Sequence, residues 1–127
     1  MHHAQLITTD AAITKEALQK ALSDDVNDTY NMISVDGDTS TNDSVVLLAN
    51  GMAENEVITV DSESYKTFAE ALHEINEYLA KKIAGDGEGA TALFEVTVSW
   101  RRYKRDCKDT CKINRMLKSY QDSNCRT

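Results

Sequence analysis

Apolar residues recur at steps of three and four along two segments of the chain, which is the spacing of a single helix face. The first segment follows Thr14, whose hydroxyl is placed to cap a helix, with Glu16 in the first turn. Its apolar positions are Ala17, Leu18, Ala21, Leu22 and Val26. The second segment begins at Ser64 and ends at Gly85, a residue suited to the position just after a helix. Its apolar positions are Phe68, Leu72, Ile75, Leu79 and Ile83. The pattern predicts two amphipathic helices.

Four shorter segments carry the pattern of β-strands. They are LITT (6–9), MISV (32–35), SVVLLA (44–49) and TALFEVTVS (91–99). The third is apolar from Val45 to Ala49, which is typical of a strand buried on both faces, and Asn50 and Gly51 end it. The fourth alternates between apolar and polar residues, as a half-buried strand does. The order of elements is β-α-β-β-α-β, which predicts an α+β fold with α/β layering.

The charge of the chain changes sign after residue 99. Of the 14 Lys and Arg and the 21 Asp and Glu, residues 1–99 carry 5 and 18, and residues 100–127 carry 9 and 3. An acidic body argues against nucleic acid or an anionic membrane as its partner. No apolar run approaches the roughly 18 residues of a membrane span. We therefore expect a cytoplasmic chain of 127 residues with one folded domain at 1–99, a basic tail at 100–127, and no nucleic acid or membrane partner.

Three kinds of binding site have weak support from the residues alone. The segment DGDTSTND begins like a calcium loop at Asp36, but Thr41 and Leu47 replace the Gly and Glu that such a loop needs. Short polar side chains more often build turns, so a turn is favoured. The loop GDGEGAT lacks a nucleotide fingerprint, and its Glu88 alone would be a solvated carboxylate. The three histidines show no metal-ligand spacing with the cysteines, so no metal site is predicted.

Five motifs occur in order between Leu6 and Ser99: ITTDAAI, VDGDTSTND, ANG, GDGEGAT and FEVTVS. Together they resemble the β-chain of ornithine acetyltransferase, the bifunctional glutamate N-acetyltransferase of arginine biosynthesis. The resemblance implies a fragment of an N-terminal-nucleophile-type fold. Members of that family are made as one chain and cut themselves before a threonine in an A-T-M-L-like motif. The freed threonine takes the acetyl group from N-acetylornithine as an acyl-enzyme and passes it to glutamate. Its own amine serves as the base, and an oxyanion hole stabilises the intermediate.

The resemblance also implies site residues and partners. Glu88 matches the family's substrate-contacting glutamate, whose carboxylate can pair with a substrate ammonium. The α-chain of the same precursor would complete an α2β2 assembly that acts on N-acetylornithine and glutamate without a cofactor, and some members accept acetyl-CoA as the donor. No catalytic residue is assigned, because residues 1–7 contain no threonine and Thr8 belongs to a predicted strand. The family's oxyanion-hole residues lie in the α-chain. We therefore expect this chain alone to be inactive.

Residues 100–127 do not continue the resemblance, although they hold all three cysteines and the only tryptophan. These residues can be back-translated into DNA with suitable codons and then read one base later. The shifted reading gives GGGIKEIAKILAKSIGCSNPIKTAIAG, which resembles the family's next helix and strand. The same operation on MHHAQL gives Cys-Thr-Met-Leu-Ser, which resembles the missing nucleophile motif. Our hypothesis is that the gene is frame-disrupted and that its genuine family part is residues 7–99. We expect the tail to be poorly ordered.

Two other functions stay open at the level of the sequence. One is a non-enzymatic acidic module whose basic tail binds an acidic partner, a membrane surface or nucleic acid. The other is a full β-chain that acts with a separately supplied α-chain, against which the lack of an N-terminal threonine counts. A body built to pair with an α-chain is also expected to expose sheet edges and apolar surface.

Overall fold

The computed structural model describes residues 4–34 and 42–86, together with residues 93 and 95. In chain order the elements are β1 (Ala4–Thr9), α1 (Lys15–Val26), a short 3-10 helix (Tyr30–Met32), β2 (Ser44–Ala49) and α2 (Glu63–Gly85). The predicted α+β class is confirmed by these helices packed on a small sheet. Within the described part of the chain, no helix is both long enough and apolar enough to cross a membrane.

β1 and β2 lie side by side as a parallel two-stranded sheet. The six residues of each strand pair in register, with Leu6 opposite Val46 and Ile7 opposite Leu47. Parallel strands need a crossover connection, and α1 lies within that connection. The sheet and α1 therefore form a β-α-β unit, to which α2 is added.

The hydrophobic core lies between one face of the sheet and the two helices. On that face Ile7 and Leu47 are each 9% exposed, and they cluster with Ala21 of α1 and Leu72 of α2, which are 3% and 4% exposed. The partly buried residues around this cluster are Leu18, Leu22, Val45, Tyr65, Phe68 and Leu79. Both helices therefore cover the same face of the sheet.

The helix ends agree with the sequence at the start of α1 and differ at the end of α2. The predicted cap is confirmed, because Thr14 Oγ1 accepts a hydrogen bond of 3.3 Å from the backbone N–H of Ala17. Gly85 does not follow α2 as predicted but is its last helical residue. The helix is capped one residue later by Asp86, whose N–H donates to the carbonyl oxygen of Lys82 at 3.0 Å.

The predicted strand at residues 32–35 is wrong at its start, because Met32 ends the 3-10 helix. The N–H of Met32 donates to the carbonyl of Thr29 at 2.9 Å, and that of Ile33 donates to Tyr30 at 3.3 Å. Donors that are used in local turns cannot join a strand ladder. The predicted strand at 91–99 lies outside the described residues except for 93 and 95, so it stays a prediction.

The buried face of α2 is displaced from the predicted stripe. Leu72 and Ile83 are buried as predicted, but Ile75 is 47% exposed. The position next to it, Asn76, is fully buried. The apolar pattern predicted that Ile75 lies in the middle of the buried face of α2, but the polar side chain of Asn76 occupies that position.

The prediction that β2 is buried on both faces is wrong in this chain. Val46 and Leu48 are 46% and 51% exposed, and Leu6 beside them on β1 is 66% exposed. We call these three residues the outer sheet face. It is open because both helices pack on the opposite face. The expectation of exposed apolar surface is thus confirmed at a defined place in the fold.

Candidate functional site

The motifs ITTDAAI and ANG meet where the two strands end. The N–H of Asn50 donates to the carbonyl oxygen of Thr9 at 3.2 Å, and the N–H of Ala53 donates to that of Asp10 at 2.8 Å. We call residues 9–12 and 50–55 the carboxyl edge of the sheet. Ligands of open α/β sheets bind outside the carboxyl ends of the strands. This edge is therefore the candidate functional site within the described residues.

The turn after β2 depends on the ANG motif. Asn50 Oδ1 accepts a hydrogen bond of 3.0 Å from the N–H of Met52. Gly51 has a φ of +73°, in the left-handed region that favours glycine. A Cβ added to Gly51 would lie 3.9 Å from Ala12, an ordinary contact. The backbone angle, and not the available space, therefore requires glycine at this position.

The loop after β2 is fastened along the segment that follows β1. The side chain of Asn55 pairs with both backbone groups of Ala12: its Oδ1 accepts from the N–H at 2.7 Å, and its Nδ2 donates to the carbonyl at 3.1 Å. Farther on, Ile13 and Ile58 form a parallel bridge, and the N–H of Thr14 donates to Ile58 at 3.0 Å. The carboxyl edge is thus held in place by contacts between the two segments. Sequence reasoning missed Asn55, which lies outside the five motifs.

Two residues of the carboxyl edge, Asp10 and Glu54, carry exposed carboxylates, and the first follows β1 directly. Asp10 is exposed, whereas the backbone on either side of it is fixed, because Thr9 Oγ1 accepts from the N–H of Ala11 at 3.2 Å. A carboxylate held in this way can pair with a cation such as an ammonium group. Sequence reasoning did not single out Asp10, although the motif ITTDAAI contains it.

Glu88, the predicted substrate-binding residue, lies outside the described residues. α2 ends at Gly85, three residues before it. Residues 35–41 are also outside the described part, so the turn favoured for DGDTSTND over a calcium loop stays a prediction. Thr8 lies within β1 as expected. The substrate role of Glu88 stays a prediction.

A polar network that sequence reasoning missed joins α1, the 3-10 helix and α2. Asn76 Nδ2 donates to Asp25 Oδ2 at 2.5 Å, and Asn76 Oδ1 accepts from the Tyr30 hydroxyl at 3.1 Å. His73 Nδ1 lies 2.5 Å from Asp25 Oδ1. The Thr29 hydroxyl donates to the carbonyl oxygen of Asp25 at 2.9 Å. The only sequence signal was the pair His73 and Asn76, three residues apart on one helix face.

Burial makes this network costly to disturb. Asn76 is fully buried, and its amide uses both ends in hydrogen bonds, so its desolvation is compensated. Burial, followed by the nearby Asp25 carboxylate, raises the pKa of the Tyr30 phenol above its ordinary 10.0. The His73 side chain is half exposed and is held by Asp25. Within residues 4–34 and 42–86, no three His, Cys, Asp or Glu side chains are arranged to hold a metal.

A surface ion pair ties α2 to residue 95. Lys81 Nζ lies 3.0 Å from Glu77 Oε1 and 3.3 Å from Glu95 Oε1. The hydrogen bond from Lys81 lowers the pKa of Glu77, and both carboxylates raise the pKa of Lys81. Exposed pairs of this kind contribute little to stability. The contact nevertheless places residue 95 beside the second half of α2.

Comparison with known proteins identifies the family. The profile of the ArgJ family matches residues 4–116. The arginine biosynthesis bifunctional protein ArgJ 1 of Clostridium acetobutylicum is 52% identical over 106 residues, which are 84% of this chain and 26% of the relative. The ArgJ protein of Thermotoga neapolitana is 54% identical over 92 residues, which are 72% of this chain and 23% of the relative.

A solved structure is similar in both sequence and fold. The crystal structure of the arginine biosynthesis bifunctional protein ArgJ from Bacillus halodurans superposes with a TM-score of 0.66 at 53% identity, covering 69% of this chain and 41% of that chain. The chain described here belongs to the ArgJ family, which confirms the resemblance found in its motifs. It spans about a quarter of the length of the relatives it matches.

Proposed function

We propose that this chain is a β-chain segment of a cytoplasmic ornithine acetyltransferase that moves an acetyl group from N-acetylornithine to glutamate. The observation that carries the proposal is the carboxyl edge, where two family motifs converge on one ordered site. The family membership supports it, as do the relatives, which are bifunctional proteins of arginine biosynthesis. The chain alone is inactive, because it represents only part of the enzyme.

The chemistry is a two-step acyl transfer. A threonine hydroxyl attacks the acetyl carbonyl of N-acetylornithine, and the ornithine amine leaves with the proton. The glutamate amine then attacks the acetyl-threonine ester, and the threonine oxygen recovers its proton. Glu88 binds the substrate ammonium, and no cofactor takes part. Acetyl-CoA is an alternative acetyl donor.

The partner is the α-chain of the same precursor, and two α-chains and two β-chains form the whole enzyme, an α2β2 assembly. The aligned segment is 41% of the solved Bacillus chain but only 26% of the full Clostridium relative. The two alignments cover 69% and 84% of this chain, respectively. From these shares, the solved chain is about half as long as the Clostridium relative. This length supports a family polypeptide that is divided into two chains.

The experiment places the segment in a whole enzyme. Residues 4–99 replace only the residues of the Clostridium relative that align with them, and acetyl transfer from N-acetylornithine to glutamate is measured. We expect activity in this chimera and none in the 127-residue chain alone. Glu88→Gln removes the charge with little change in shape, and we expect kcat/KM to fall by about 100-fold, as for loss of a charged contact to substrate.

The matched control is Glu74→Gln, which removes an exposed carboxylate from α2. It is expected to leave kcat/KM unchanged. A folded chimera without acetyl transfer would refute the proposed activity. Equal rates in the Glu88 and Glu74 variants would remove the substrate role of Glu88.

We also propose that residues 100–127 arise from a shifted reading frame. The apolar periodicity that returns in the shifted text supports this. The family match extends to residue 116, so the domain boundary at 99 stays a prediction. Resequencing the codons for residues 1–7 and 99–127 tests it: one-base corrections that restore a Thr-Met-Leu motif and the AGRD continuation are expected. Unchanged bases would make the basic tail genuine.

A further inference from the structure

The turn after β2 contains an asparagine that is followed by glycine. Of the eight asparagines in the sequence, only Asn50 has this neighbour. Asn50 is exposed, so solvent reaches its side-chain amide. Gly51 has no Cβ, so nothing shields its backbone nitrogen from the side chain that precedes it. The pair therefore has the covalent structure in which an asparagine amide can react with the backbone nitrogen that follows it.

The hydrogen bonds of this turn leave the two reacting nitrogens free. Asn50 Oδ1 accepts from the N–H of Met52 at 3.0 Å, which folds the side chain over the Gly51 peptide as an Asx-turn does. Among the residues that the structure describes, no acceptor receives a hydrogen bond from the N–H of Gly51 or from Asn50 Nδ2. The Met52 N–H also stabilises the negative charge that develops on Oδ1 during an attack on Cγ. The turn thus holds the amide ready for attack by the Gly51 nitrogen.

Asn55, the second asparagine of the carboxyl edge, lacks these features. It is exposed like Asn50, but Glu56 follows it. Its Oδ1 accepts from the N–H of Ala12 at 2.7 Å. Its Nδ2 donates to the carbonyl oxygens of Ala12 at 3.1 Å and of Glu56 at 2.6 Å. The amide of Asn55 must break these three bonds before it can react, whereas that of Asn50 has no bond on its nitrogen.

We propose that Asn50 is a self-modification site, at which the folded chain converts the asparagine to aspartate and isoaspartate with water as the co-reactant. Hydroxide removes the N–H proton of Gly51, and the nitrogen forms a bond to Asn50 Cγ. The bond from Cγ to Nδ2 breaks, and Nδ2 takes a proton from water and leaves as ammonia. The product is a cyclic imide, a succinimide. Water then cleaves the bond from the imide nitrogen to Cγ, which gives aspartate, or the bond to the main-chain carbonyl carbon, which gives isoaspartate.

The two products change the carboxyl edge in different ways. Both add one negative charge to an edge that has exposed carboxylates at Asp10 and Glu54. Aspartate keeps the side-chain oxygen that accepts from Met52. In isoaspartate Cγ becomes a main-chain carbon, so the turn gains an atom and loses that hydrogen bond. We expect the hydrogen bond from Ala53 to Asp10 to weaken as a result, so that the isoaspartate form opens the carboxyl edge.

The test follows this modification in the full 127-residue chain. The folded chain is incubated at neutral and at mildly alkaline pH. Mass spectrometry with electron-transfer fragmentation locates each replacement of NH2 by OH and distinguishes isoaspartate from aspartate. We expect replacement at Asn50 to be at least about tenfold faster than at Asn55 or at Asn31, which is also exposed. The rate at Asn50 should increase with pH, because the Gly51 nitrogen reacts in its deprotonated form.

Two variants separate the effect of the turn from that of the dipeptide. Glu56→Gly creates a second Asn-Gly pair at Asn55, whose amide is bonded to Ala12. In that variant we expect replacement at Asn55 to be at least about tenfold slower than at Asn50 of the same molecule. Gly51→Ala adds a Cβ beside the attacking nitrogen, and replacement at Asn50 should slow by at least about tenfold.

Each outcome decides the proposal. Faster replacement at Asn50 than at Asn55 of Glu56→Gly, in a variant that keeps the far-ultraviolet circular dichroism of the parent, supports it. Equal rates at the two Asn-Gly pairs would show that the hydrogen bonds of the turn have no influence, and would overturn it. If the variants do not fold, the parent chain decides: a rate at Asn50 no higher than at Asn31 overturns the proposal. None of these measurements depends on acetyl transfer, so the proposed function is tested separately.

Discussion

The side-chain amide of Asn76 on α2 donates to the carboxylate of Asp25 on α1 across 2.5 Å, and both groups lie below the protein surface. The two residues are 51 positions apart in the chain. The carboxylate is bonded on its other oxygen to His73. This contact makes the junction of the two helices polar and specific instead of merely apolar.

Replacement of Asn76 by Ala tests how much that contact contributes to the stability of the fold. We expect the free energy of unfolding to fall by about 2 to 4 kcal/mol, because Asp25 and Tyr30 both lose a buried partner and a cavity remains. Urea unfolding followed by circular dichroism measures it. The control is Asn31→Ala, an exposed residue bonded to Asn27, for which the change should stay within about 0.5 kcal/mol. Similar losses in the two variants would contradict a central role for Asn76.

Tyr30 predicts a loss of stability at alkaline pH. Its pKa is raised in the folded chain by burial and by Asp25, so folding favours the neutral phenol. That contribution is complete below the unfolded value of about 10 and is lost as pH rises through the folded value. Tyr30→Phe, which cannot ionise, should show a shallower fall of the urea midpoint above about pH 10. The control is Tyr78→Phe, at an exposed position, in which the urea midpoint should fall with pH as in the parent chain. If the midpoint of Tyr30→Phe also falls as in the parent, the prediction is wrong.

Gly51 and Gly85 form a natural pair for substitution by alanine. At Gly51 the φ of +73° strains any side chain, so Gly51→Ala should cost about 1 to 2 kcal/mol. At Gly85 the backbone is helical and nothing lies within 4 Å, so Gly85→Ala should be neutral or stabilise by up to about 1 kcal/mol. Thermal and urea unfolding measure both. A change of the same sign in the two variants would be inconsistent with this difference in backbone.

The cap of α1 provides a further prediction. Thr14→Ala removes the oxygen that accepts from Ala17, and we expect a loss of about 1 kcal/mol. Thr67→Ala, at an exposed position within α2, serves as the control and should be neutral or slightly stabilising, since alanine is the better helix former. Chemical unfolding of the two variants side by side measures the difference. Equal stability of both would mean that the Thr14 hydroxyl does not cap the helix in solution.

The sequence predicted the elements whose signals are local. The cap at Thr14, the period of α1 and the uninterrupted apolar run of β2 each lie within a few neighbouring residues. The strand predicted at 32–35 is wrong at its start because a run as short as MISV does not distinguish a strand from a tight turn, and the N–H groups of Met32 and Ile33 donate within the turn.

The motifs of the candidate site could be predicted from the sequence, but their positions relative to one another in the fold could not. That ITTDAAI and ANG adjoin follows from strand pairing, which brings Thr9 beside Asn50 across 41 positions of sequence. The network around Asn76 depends in the same way on contacts 46 and 51 residues apart. An apolar periodicity carries no information on such pairs, so it assigned the buried position to Ile75 instead.

The double hydrogen bond between Asn55 and Ala12 has a dynamic consequence. It occupies both backbone groups of one residue with a single side chain from the neighbouring segment. Segments that are joined in this way open together, so their amide hydrogens should exchange with solvent at similar rates, as one cooperative unit. A ligand that settles on either segment would then slow exchange in both.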